Sequence, residues 1–263
     1  MTEKIFVYVY YICYSLTALI AISGLIFILV TKRYNAILLC LYFVVLIDTT
    51  TFVTLENYSI QHPYRPLFMT SLSVNTAADA LSHLIVSYAY LKVIIELKAL
   101  MDKQIHLKNY EKLAEVSKEK ARLFRVTVAL AALCVADGIY CLCGFLFRSV
   151  KNIIISQFVV VTQDFSFLCL WGLSLIMLNR KVKQSKQLIP NRLLFCLHGS
   201  VLVCYVVFNT IFLITFSLSY DADGDKLFII DGVSNIAGSL LAFFECSGFI
   251  LVFALMTPLG QKK

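Results

Sequence analysis

Within an apolar run of the chain lies NTAADALSHLIVSYAY, residues 75–90, in which Asn75, Asp79 and His83 stand four residues apart. At about 100° per residue these positions, with Ser87, drift only slowly around a helix and form one polar stripe, which Tyr90 continues. A carboxylate and an imidazole one turn apart can exchange protons, hold a cation or bind a polar ligand. Other apolar runs contribute Asp48, Asp137, Asp164 beside Gln163, and Asp231, Asn235 and Glu245 roughly on one face. An ionised side chain facing lipid costs about 2.5–3.5 kcal/mol on insertion scales. Six such acids must therefore face one another, water, a cation or a ligand. The matching bases are few: His83, His198 and Lys92. The candidate cavity comprises Asp48, Asn75, Asp79, His83, Asp137, Asp164, Asp231, Asn235 and Glu245, with Asp79 expected at its centre. Asp231, Asn235 or Asp48 is the expected neighbour across the gap. The plainer alternative is that the acids hydrogen-bond to polar groups on adjacent helices and serve only packing.

The elements that must position these groups are membrane helices. Of 263 residues, 60% are hydrophobic and 15% charged, with a mean hydropathy of +0.82. Globular chains run at about 45–50% apolar and about 25% charged, so this composition is that of an integral, multi-pass membrane protein. A span needs roughly 20 mostly apolar residues. Seven stretches qualify, at about 5–30, 34–54, 67–95, 126–147, 153–178, 193–220 and 227–256. The expected fold is an all-α bundle of seven transmembrane helices, a single domain over 1–263. The first run is too long for the apolar part of a signal peptide and leads into Lys32-Arg33, so it is read as a retained helix.

Lysine and arginine assign the orientation. Lys32, Arg33, eight residues in 96–125, five in 179–192, and Lys262 and Lys263 make 17 of the 23. The opposite connections carry five, Lys4, Arg65, Arg148, Lys151 and Lys226, and Lys92 lies in the third run. The amino terminus is expected outside and the carboxyl terminus in the cytoplasm, in a plasma membrane or an endomembrane. Asn57-Tyr58-Ser59 then forms a glycosylation sequon on the non-cytoplasmic side. DADGDK, at 221–226, resembles a calcium loop only superficially, because Gly232 stands where the bidentate Glu belongs.

The net charge of +7 gathers in the inner segments, so anionic lipid heads on the cytoplasmic side are the expected partner and nucleic acid is not. Segment 96–125 is expected to extend the third and fourth helices, with Glu115 and Lys118, and Glu119 and Arg122, at helical spacing. Lys108, Lys112, Lys118 and Lys120 are its candidate contacts for lipid or a cytoplasmic protein partner; a plain solvated linker is the alternative. The nine cysteines all fall in apolar runs and read as small buried hydrophobes, not as disulfide or metal pairs.

Seven helices with an outside amino terminus occur in several families, each with its own motif. A retinal-binding lysine is missing from 227–256, which sets microbial rhodopsins aside. Rhodopsin-like receptors are set aside by the missing cysteine pair and helix-seven motif; Glu96-Leu97-Lys98 is only a faint echo of their charged triplet. Sugar transporters of the PQ-loop type place prolines inside their spans, whereas Pro63, Pro66, Pro190 and Pro258 lie in loops or helix ends. Seven-helix hydrolases with a three-histidine zinc site need more than the two intramembrane histidines present. In architecture the chain resembles compact seven-helix receptor-like proteins such as the tobamovirus-multiplication group, and this resemblance implies no functional residues. The expected function is a receptor-like or sensory protein binding a small polar ligand or cation in an outward-facing polar cavity. A proton- or cation-coupled transporter or channel is the second reading, and a non-catalytic scaffold or complex subunit the third. No enzymatic activity, cofactor or resident metal is expected.

Overall fold

The computed structural model describes residues 2–31, 37, 39–47, 49–50, 65–105, 110–147, 150–185, 192–218, 233, 236–237, 240, 243–244, 247–248 and 250–252. Among the described residues the regular structure is entirely α-helical. Seven helices follow in chain order: α1 Thr2–Thr31, α2 within 37–50, α3 Arg65–Ile105, α4 Tyr110–Leu146, α5 Val150–Ser185, α6 Arg192–Leu218 and α7 within 233–252. Five contain stretches long and apolar enough to cross a membrane: Ile12–Val30, Thr76–Ala99, Ala114–Gly144, Phe158–Gln184 and Leu193–Phe212.

Their sequences explain the long uninterrupted helices. Pro66 sits in the first turn of α3, where its missing N–H leaves no hydrogen bond unmade. Within the spans, hydroxyl groups turn back onto their own helices: Thr17 donates to the Cys13 carbonyl, Thr127 to Leu123 and Thr162 to Phe158, at 2.8–2.9 Å. That bond satisfies the hydroxyl where no water is at hand.

Burial is inverted relative to a water-soluble protein. Large apolar side chains such as Val30, Leu146 and Phe158 stand 72–75% exposed, while His83, His198 and Asp164 are enclosed. An apolar exterior, with a few polar side chains enclosed among a mostly apolar interior, suits hydrocarbon as the surrounding medium.

By packing, the chain forms two compact units, Met1–Ser23 with Arg192–Lys263, and Gly24–Asn191. In the first, Phe208 of α6 stacks on Phe244 of α7, the rings 5.5 Å apart and nearly parallel. In the second, α3 packs most extensively against α5, then α4, and α4 packs against α5. The apolar span of α3 is 61% buried and that of α4 only 11%, so α3 is the central helix of this unit. Ala80 and Leu84 of α3, Cys134 of α4 and Phe167 of α5 form its core. Small side chains let the helices approach. A Cβ added at Gly138 would lie 3.6 Å from that of Ala77, and one at Gly24 would meet the Tyr42 ring.

Helices α3 and α4 both continue into the charged segment 96–125, which is helical at 96–105 and 110–125. The two extensions are joined by charge: Lys120 Nζ donates to Glu96 Oε1 at 2.8 Å, and Lys98 lies 3.9 Å from Glu119. Glu119 was expected to serve Arg122 one turn along its own helix; it reaches across to Lys98 instead, because the neighbouring helix brings a cation within range. The cysteines also depart from expectation. Cys13, Cys134 and Cys141 are buried, but Cys40, Cys169 and Cys196 are exposed on helix faces, and Cys246 lies outside the described residues. A thiol on an apolar outer face is chemically tolerable, since it behaves as a small hydrophobe towards lipid as towards a core.

Candidate functional site

The polar stripe of α3 resolves into members with different surroundings. Ser82, His83, Ser87 and Tyr90 are fully enclosed, whereas Asp79, one turn before His83, is half-buried. Because α3 is covered on most sides by α4 and α5, even its polar residues face protein. Ser87 Oγ donates to the His83 carbonyl at 2.8 Å, so its hydroxyl is satisfied within the helix.

The centre of the site is a couple between α3 and α5. His83 Nδ1 lies 2.8 Å from Asp164 Oδ1, and their side chains are 0% and 7% exposed. One proton shared between these atoms completes the hydrogen bond, whether it rests on the imidazole or on the carboxyl. Either arrangement keeps a costly buried polar group paired. The two residues are 81 apart in sequence, and only the side-by-side packing of α3 and α5 unites them.

Trp171 stands two turns beyond Asp164 and packs on the imidazole, with ring centroids 5.3 Å apart and planes tilted by 33°. Tyr90, two turns beyond His83, neighbours the same indole. Ser174 Oγ donates to the Trp171 carbonyl at 2.8 Å. The repeat of seven on both helices sets two layers of backbone positions about 10 Å apart along the pair, and the Trp171 ring reaches from one to the other. The first is His83 with Asp164, the second Tyr90 with Trp171. An electron-rich ring against the imidazole is a favourable neighbour for a ring able to carry positive charge.

The residue preceding Asp164 serves the other neighbour. Gln163 Nε2 donates to Asp137 Oδ2 of α4 in a close hydrogen bond. Consecutive side chains on α5 therefore reach α4 and α3, as their 100° separation allows. Among the described residues no three His, Cys, Asp or Glu side chains gather as a metal-binding group. The chemistry on offer is proton exchange and hydrogen bonding through one acid and one base.

Of the sequence-derived candidates, His83 and Asp164 meet, Asp137 lies beside Gln163, and Asp79 flanks the couple on α3. Asn75 is helical, but its side chain is not described. Asp48, Asn57, Asp231, Asn235 and Glu245 lie outside the described residues, as does Lys108. Lys112 is helical with its side chain undescribed, Lys118 is exposed, and Lys120 is committed to Glu96. Asp79 was expected at the centre, but the enclosed couple is His83 with Asp164. Trp171 was missed altogether. Its signal was available: it is the chain's single tryptophan, and it falls mid-span, away from the interfacial belts where tryptophan concentrates.

Compared with known family models, curated proteins and solved structures, the chain matches none.

Proposed function

We propose that this chain is a receptor-like or sensory protein of seven spans, with its amino terminus outside and its carboxyl terminus in the cytoplasm. The observation that carries this reading is the enclosed His83–Asp164 couple, which ties α3 to α5 through a titratable contact. A proton, cation or small polar ligand reaching the polar stripe from the Asp79 side alters that contact. The separation or rotation of α3 against α5 changes with it. Helix α3 continues unbroken to Ile105, so its inner end moves as one body with the couple. That end is clamped to α4 by Glu96–Lys120 and Lys98–Glu119, about 20 Å from His83, where a cytoplasmic partner can read the change.

The second reading, a proton-coupled transporter, is favoured by the same couple, because an acid and a base at hydrogen-bond distance are what a proton relay requires. Two measurements separate the readings. In the receptor-like case, Asp164→Asn alters hydrogen exchange in the extensions 96–105 and 110–125 without creating or abolishing flux. A proton flux in liposomes that Asp164→Asn abolishes, with exchange at the extensions unchanged, would replace this reading with the transporter.

A further inference from the structure

One face of α4 carries a basic row that runs directly into an apolar groove. Lys118, Arg122, Arg125, Ala129, Ala132 and Ala136 are all exposed and recur at alternating spacings of four and three. At 100° per residue they fall within an arc of about 80°, opposite the side that carries Leu130, Cys134 and Gly138 towards α3. Val128 and Val135 border the alanines on one side and Leu133 on the other, each about half exposed. Arg125 is the last cation along α4. Its Nε makes one long contact, 3.4 Å, with the Ala121 carbonyl of its own helix.

We infer that this face binds one anionic phospholipid, an inference that rests on the membrane-spanning reading above. Arg122 and Arg125 hold the phosphate, a group whose oxygens match the planar guanidinium fork, and Lys118 adds attraction from the solvent side. The acyl chains lie along the alanine floor between the valine and leucine walls. Among the described side chains, Glu119 and Glu96 are turned to Lys98 and Lys120, and Glu115, three residues before Lys118, borders only the solvent-side cation and not the arginine pair. Small residues at this spacing also suit a helix of a second copy. A two-fold copy placed in parallel on this face would bring the three cations against themselves, whereas an anionic lipid neutralises them. Charge therefore selects lipid over self-association.

Native mass spectrometry of the full chain, released from detergent with phosphatidylserine or phosphatidylcholine present, tests the site. Phosphatidylserine is expected to be retained preferentially, one molecule per chain. The double variant Arg122→Gln/Arg125→Gln is expected to lower that retention about tenfold or more. Ala132→Leu/Ala136→Leu, which fills the groove without touching charge, should weaken it as well. Lys151→Gln, which removes a cation at the start of α5 away from this face, should not. Equal retention of both lipids, or indifference to the arginine pair, overturns the proposal. So does a dimer that Ala132→Leu/Ala136→Leu dissociates, which would make the face a self-interface. Release of the chain from membranes by alkaline carbonate would instead overturn the spanning reading itself.

Discussion

His83 and Asp164 illustrate how one contact can be structural, functional or both, and substitution separates these roles. Stripping one partner from a buried ion pair costs about 3–5 kcal/mol, whereas an interhelical hydrogen bond in a membrane averages about 0.6 kcal/mol. His83 has no access to solvent that could replace Asp164. Asp164→Ala should therefore cost towards the larger figure if the couple is ionised and towards the smaller if it is neutral. Thermal unfolding in detergent measures which. Asp164→Asn keeps a hydrogen-bonding partner and should cost less than Asp164→Ala, and His83→Leu/Asp164→Leu should recover most of the loss. A double variant as unstable as the sum of the single ones would mean the residues act independently. Both residue types were recognisable in the sequence as candidates for chemistry. Their pairing was not, because helical periodicity relates Asp79 to His83 on one helix but carries no information about which residue of another helix stands opposite.

The crossing of α3 and α4 is set by small side chains, and Gly138 is where it can be tested. An alanine there makes ordinary contact with Ala77, so Gly138→Ala should be neutral or stabilising by up to about 1 kcal/mol through helix propensity. Gly138→Leu must push the helices apart and should cost about 1–3 kcal/mol. Equal stability of the two variants would mean the helices do not meet at this position. The existence of long apolar helices was legible from hydropathy alone. Their ends were less so: the apolar runs stop at 95 and resume at 126, yet helix continues on both sides of that charged segment. Hydropathy marks where lipid ends, whereas a helix ends where its hydrogen-bond ladder ends, and Lys, Glu, Ala and Leu all sustain that ladder in water.

For the molecule as a whole, the distribution of basic residues supports the proposed orientation. A cysteine placed at Ser59 or Asp223 in a background without native cysteines should react with an impermeant maleimide added outside intact cells. One placed at Lys112 or Lys183 should react only after permeabilisation. Outside labelling at Lys112 would reverse the orientation, and with it the direction in which α3 transmits a change. Which helices neighbour one another was not readable at this scale. Packed against lipid or against another helix, an apolar face has the same composition, so the enclosure of α3 and the exposure of α4 emerge only from the fold.

The placement of Trp171 gives the protein an optical reporter. The chain has one tryptophan, and its indole lies against the His83 ring, so all indole fluorescence comes from the site itself. A protonated imidazole in contact with an indole quenches its emission by accepting an electron from the excited state, and a neutral imidazole does so much less. A ligand or substitution that moves the couple's proton onto the imidazole should dim the emission without unfolding the chain. His83→Gln should remove that response while leaving helix content by circular dichroism intact. A response that persists in His83→Gln would locate the quencher elsewhere. With His83 retained, the same signal can screen cations and small polar molecules in unlabelled protein, each read at the one place where binding is proposed to act.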